Sequence, residues 1–120
     1  MLITSIPQYI QGVSNAKVDL TTTNLTTLFT VPSGADFNAA IVNSILVSED
    51  SGNADTITVT LTDTSNAVFS LFKVKAVAAN ATVELLTNPL IMMESEILKA
   101  TPATGNRLHI VISMLEMNRS

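Results

Sequence analysis

The sequence predicts an all-β fold: a single β-sandwich of about eight antiparallel strands, jelly-roll or immunoglobulin-like, with an extended N-terminal arm. Three observations predict it. Apolar and polar residues alternate without a fault along Thr56-Ile57-Thr58-Val59-Thr60-Leu61-Thr62, the period of a strand with one face toward a core. Clusters of Gly, Pro, Asn, Asp and Ser recur at short intervals, as turns do. No apolar stripe at i, i+3, i+4 is long enough for a stable helix.

Residues 1–15 are read as the arm and residues 16–120 as the sandwich. The arm contains Pro7 and Gly12, alternates poorly and has no charged side chain. Leu2, Ile3, Ile6, Tyr9 and Ile10 make it too apolar for a free tail. It is expected to dock, on its own sandwich or, as an exchanged arm, on a neighbouring chain.

Strands are then expected over residues 16–20, 26–31, 38–48, 56–62, 67–74, 82–86 and 97–101, and from Arg107 to about Met117. Residues 89–93 are read as an edge strand with Pro89 at its start. On the strand at 56–62, Ile57, Val59 and Leu61 should face the core and the threonines solvent or a partner. On the last strand Leu108, Ile110, Ile112 and Met114 share one face. His109, Val111, Ser113 and Leu115 share the other. That second face is half apolar, so the strand is expected to be central and at least partly covered on both sides. Phe69 and Phe72, an odd distance apart, are expected on opposite faces. Turns are expected at 32–36, 49–53, 63–66, 88–89 and 102–106. The Ala-rich segment at 76–86 is read as loop followed by strand, because Asn80, Thr82 and Val83 interrupt it.

Composition narrows the function. Of 120 residues, 13% are charged and 47% hydrophobic, where about 25% charged is usual. Thr, Ser and Asn take the place of the missing charge. Net charge gives proteins their mutual repulsion, and charged residues are depleted at interface cores. The surface therefore reads as one that faces other protein chains; a neutral Thr-rich surface with no partner is the plainer alternative. Six basic residues, scattered over a chain of net charge −4, form no stripe for phosphates, which argues against nucleic acid. No apolar run approaches the roughly 18 residues of a membrane span, and the N-terminus lacks the basic and apolar regions of a signal peptide. The chain reads as soluble, with no nucleic-acid or membrane partner.

No catalytic, cofactor or metal residue is assigned. There is no cysteine, hence no disulfide and no thiolate ligand. The single histidine, His109, falls within a strand between apolar residues, with no triad to orient it. Neither a nucleophile elbow nor a phosphate-binding glycine loop occurs. The loop Glu49-Asp50-Ser51-Gly52-Asn53-Ala54-Asp55 has oxygen donors for calcium, but its spacing departs from the EF-hand and a solvated hairpin is the better reading. Glu94 and Glu96 bracket Ser95; paired carboxylates serve glycosidases, yet with no Trp in the chain a turn fits better. The sequons at Asn24, Asn80 and Asn118 are read as chance in an Asn- and Thr-rich chain.

The run Val18-Asp19-Leu20-Thr21-Thr22-Thr23-Asn24-Leu25-Thr26-Thr27-Leu28-Phe29-Thr30-Val31-Pro32-Ser33-Gly34 is similar to the opening of small β-sandwich structural proteins of tailed phages, especially cyanophages and other marine phages. Residues 42–47, 56–62, 78–86 and 108–116 resemble them too, so the resemblance covers roughly residues 16–117. It rests on turns and strand starts, which unrelated sandwiches can share. The resemblance implies a virion structural protein, foremost a capsid decoration (cement) protein. Such a protein binds the major capsid protein on the outer shell as a homotrimer, and is made in the host cytoplasm. The alternative is a tail, baseplate or fibre module for host attachment. A small hydrolase is disfavoured by the missing nucleophile and base, and an adhesion repeat from a larger protein by the starting Met1.

Overall fold

Nine strands account for the regular structure in a computed structural model that describes residues 9–33 and 38–118. They are β1 (Tyr9–Leu20), β2 (Thr26–Thr30), β3 (Ala39–Glu49), β4 (Asp55–Thr62), β5 (Val68–Val77), β6 (Thr82–Glu84), β7 (Leu90–Met93), β8 (Ile97–Pro102) and β9 (Leu108–Asn118). All pairings are antiparallel. Sheet A has the order β1-β9-β3, with β6 and β7 both on the far side of β3; sheet B has the order β2-β8-β4-β5. Strands β6 and β7 pair with opposite ends of β3, around Val47 and Ile41 respectively. They act as one strand broken at residues 85–89. Counted so, eight strands interleave between two four-stranded sheets in the jelly-roll order, which selects between the two expected sandwiches. The immunoglobulin arrangement divides its strands differently.

The core lies between the sheets. Val42, Ile45 and Val47 of β3, Leu108, Ile110, Ile112 and Met114 of β9, Ile57 and Val59 of β4 and Leu98 and Ala100 of β8 are all buried. Each fully buried Leu or Ile contributes about 1.5–3 kcal/mol. The central position expected for the last strand holds: β9 sits between β1 and β3.

Several expectations need correction. The strand expected at 16–20 extends back to Tyr9, so residues 9–15, read as arm, pair with β9. The alternation is hard to see there because Gln11 is an extra residue between the pairs Ile10–Met117 and Gly12–Glu116. Gly12 takes φ 123, open to glycine alone without strain. Residues 1–8, and the part of the expected turn at 34–36, lie outside the described residues.

Phe69 and Phe72 share a face instead of opposing one another. Two bulges on β5 shift its register. Lys75 pairs with Ile57 but Phe72 with Val59, then Ser70 with Thr60 and Phe69 with Leu61. One of the extra residues is Val74, at φ 51, a strained conformation for a β-branched side chain. Its N–H donates to Thr58 Oγ1 at 3.0 Å. Phe72 packs against the core, whereas Phe69 is 54% exposed.

The threonines of β4 are not uniformly outward and open. Thr60 and Thr62 are buried. As a central strand, β4 places Thr60 between Lys99 and Ser70, and Thr62 between Ile97 and Val68. Leu61 is only partly buried, packed on the core. The loop after β8 crosses close to the one after β1: Asn106 N–H donates to Leu20 O at 2.9 Å. A Cβ on Gly105 would lie 2.5 Å from Thr21 O, so only glycine fits that crossing.

Candidate functional site

Among the described residues, no other element covers the outer face of sheet A. Residues directly opposite in an antiparallel pair point to the same side, so the registers build this face row by row. The first row is Met93–Ala39–Met117. The second is Ile91–Ile41–Leu115–Val13, crossing β7, β3, β9 and β1. Val13 is 86% exposed and Ile91 62%. Both rows are apolar throughout.

Polarity then rises along the strands. Ser44–Ser113–Asn15 follows, next Glu84–Leu46–Val111–Lys17, and last Thr82–Ser48–His109–Asp19. The face is thus graded from a dry end, where β1 and β3 begin, to a charged end, where they finish.

At the charged end His109 faces two carboxylates. Its Nε2 lies 3.2 Å from Asp19 Oδ1 and its Nδ1 3.8 Å from Asp50 Oδ2. Both ring nitrogens are turned to acids, so the side chain spans β1, β9 and the β3–β4 loop.

Two further carboxylates hold loops in place. Glu49 ends β3 and is 2% exposed. It accepts hydrogen bonds from the Ser51 hydroxyl and from the N–H groups of Ser51 at 2.8 Å, Gly52 at 3.2 Å and Asn80 at 2.9 Å. The Ser51 hydroxyl contributes most, and with the N–H donors it overcomes the opposing effect of burial. The carboxyl is held at about 2, below its ordinary 4.5. Glu84 stands beside the bulge at Asn43 of β3. It accepts from the Ser44 hydroxyl, from Ile45 N–H at 2.8 Å and from Leu86 N–H at 3.2 Å. Burial pushes its carboxyl up, but the hydrogen bonds win and hold it below the usual range.

The acidic loop weighed for calcium is therefore already committed at both ends. Glu49 serves the N–H groups above. Asp55 accepts from Thr56 N–H at 2.8 Å and Thr104 N–H at 3.1 Å. Glu96 accepts from Met93 N–H at 2.7 Å, closing the expected turn with Ser95 at φ 67.

Neither a protein-family model nor a curated protein matches the sequence. Solved structures are similar to it at low TM-score. A pentameric capsid protein isolated from metagenomic phage sequences is similar with TM-score 0.42 and 15% identity, over 94% of this chain and 70% of that one. A second crystal structure of such a protein gives 0.43 and 16%, over 90% of this chain. This chain spans 62% of its length, less than two thirds. Eiger TNF from S. frugiperda gives 0.42 and 9%, over 91% and 95%.

Sequence reasoning placed His109 on a strand between apolar neighbours, and it lies there. It missed the partnership with Asp19 and Asp50, which depends on the β1–β9 register. It missed Glu49 as a loop anchor, although an acid two residues before Ser51-Gly52-Asn53 can accept from the turn's N–H groups. It also missed the dry end of sheet A, because Val13 fell within the region read as arm.

Proposed function

We propose that this chain is a self-associating virion structural protein that works as a capsid decoration (cement) protein. In this reading it forms a homo-oligomer, a trimer on the resemblance, bound to the major capsid protein on the outer shell. The observation that carries self-association is the pair of uncharged, apolar rows at one end of the sheet A face. Apolar side chains set side by side without charge suit a protein contact, since charge is what interface centres lack. The virion setting is supported by the sequence resemblance at residues 18–34 and its companion stretches. The jelly roll suits it, being a recurrent scaffold of capsid proteins, though a fold alone assigns no function.

A cement protein stabilises a shell by binding its assembled form; at a free concentration 100-fold above Kd the gain is about 2.7 kcal/mol per site. The test adds the purified protein to particles assembled without it. Saturable binding over the shell, with a rise in particle melting temperature, is expected. Labelling confined to the tail would refute the decoration role. It would favour a tail, baseplate or fibre module, for which exposed Phe69, beside the turn at 63–67, offers a ring for ligand stacking. Glycan-array binding that depends on Phe69 would then be the measurement.

A further inference from the structure

We infer that the dry end of sheet A is the seat of residues 1–8 from a neighbouring copy of this chain. The inference rests on the self-association reading above, not on the location in the virion.

Size comes first. Four strands about 4.8 Å apart span ~14 Å between outer axes, and two rows lie about 7 Å apart along the strands. With side chains added, the apolar area is on the order of 250 Å². A stable sheet-to-sheet dimer needs about 800 Å² per partner. The polar row Ser44–Ser113–Asn15 cuts the patch off before it reaches that area. What matches a band of four strands is one extended segment of about six residues, roughly 20 Å long.

The chain carries such a segment. Met1-Leu2-Ile3-Thr4-Ser5-Ile6 is mostly apolar and has no charged side chain. It precedes Tyr9, which starts β1 opposite Asn118, one residue from the Met117 row. The segment therefore joins the sheet at the same end as the patch.

Direction decides between copies. Strand β1 runs from the dry end toward the charged end, so Tyr9, where residues 1–8 join it, stands at the dry end. Eight residues can reach up to about 28 Å. To lie on its own rows the segment must reverse within that length; to lie on a neighbour's it need not. A segment leaving one subunit and a patch receiving it on the next form a head-to-tail contact, which closes into a ring when the rotation allows.

The absence of native cysteine permits a clean test. One preparation carries Ile3→Cys and a second, differently tagged, carries Val13→Cys. After mixing and mild oxidation, a disulfide between the two chains is expected. In parallel, light scattering follows the wild type, a chain lacking residues 1–8, and Val13→Asp/Ile91→Asp, whose sites are exposed and spare the core. The wild type should be oligomeric and both variants monomeric, with unchanged circular dichroism and melting.

Four outcomes overturn the inference. They are a wild type monomeric at all concentrations, a truncated chain of wild-type mass, and a disulfide that closes within one chain when both cysteines are on it. The fourth is a surface variant that keeps its mass but loses shell binding, which gives the face to a capsid partner. Shell binding by the wild type is scored separately, so the seat can fail while the decoration role stands, and the reverse.

Discussion

One substitution, Thr to Val, should have opposite effects at neighbouring sites of β4. Thr60 and Thr62 are buried, and neither hydroxyl has a hydrogen-bond partner among the described residues. A buried hydroxyl left unpaired costs about 1–3 kcal/mol. Valine keeps the branched shape and the preference for a strand. At the low end of that range, each of Thr60→Val and Thr62→Val should stabilise the fold by about 1 kcal/mol. Two residues apart on one face, they lie about 7 Å from each other. The pair is close enough to couple, so the double variant should gain somewhat less than the sum. For a chain of this length that is a rise in Tm of about 3–6 °C per site. Thr58 is the control. Its Oγ1 accepts from Val74 N–H at 3.0 Å, so Thr58→Val removes a bond that is made. The Val74 side is exposed, and water can replace part of it, so a loss of about 0.5–1 kcal/mol is expected. The assay is urea unfolding by circular dichroism at neutral pH, with an unchanged m-value as the check on two-state behaviour. If Thr60→Val and Thr62→Val prove neutral or destabilising while Thr58→Val costs nothing, the bookkeeping of buried hydroxyls is wrong for this sheet.

Glu49 makes stability pH-dependent with a definite sign. Its carboxyl is lowered from 4.5 to about 2 in the folded chain. Its contribution is complete above the unfolded value and lost as pH falls from about 4.5 through about 2. Glu84, also lowered, acts in the same sense. Glu49→Gln should therefore lower the urea midpoint at pH 7 and flatten the decline toward pH 2; a slope equal to the wild type's would refute the role. Gly105→Ala should destabilise by about 1–3 kcal/mol, the usual cost of overpacking. Its Cβ would meet the backbone of Thr21 at 2.5 Å and of Thr22 at 3.3 Å, which cannot rotate aside. A thermal melt unchanged from wild type would mean that the two loops separate freely.

The strands were legible because alternation is a local property. Ile57 and Val59, and Leu108, Ile110, Ile112 and Met114, announce their faces within their own segments, and the structure places them in the core. Bulges were not legible, since an extra residue is defined only against a partner strand. That is why Phe69 and Phe72 were assigned to opposite faces and why residues 9–15 were left out of the sheet. The dry face of sheet A was hidden for a similar reason. Val13, Ile41, Ile91 and Leu115 lie on four strands far apart in sequence, and only the register joins them. Glu49 illustrates a third limit: a carboxylate in a polar loop looks the same whether it faces water or gathers main-chain N–H groups.

The bulges carry one more consequence. Open sheets invite cross-β polymerisation through their unpaired borders, and weak net charge gives little protection against it. Here every border is spoiled for that purpose. Strands β1, β2 and β5 are each kinked by at least one extra residue, and Lys17, Lys73 and Lys75 stand on two of them. The remaining border is divided between the short strands β6 and β7, of three and four residues. A chain built this way can be crowded at high concentration with its copies meeting through faces and loops instead of pairing border to border.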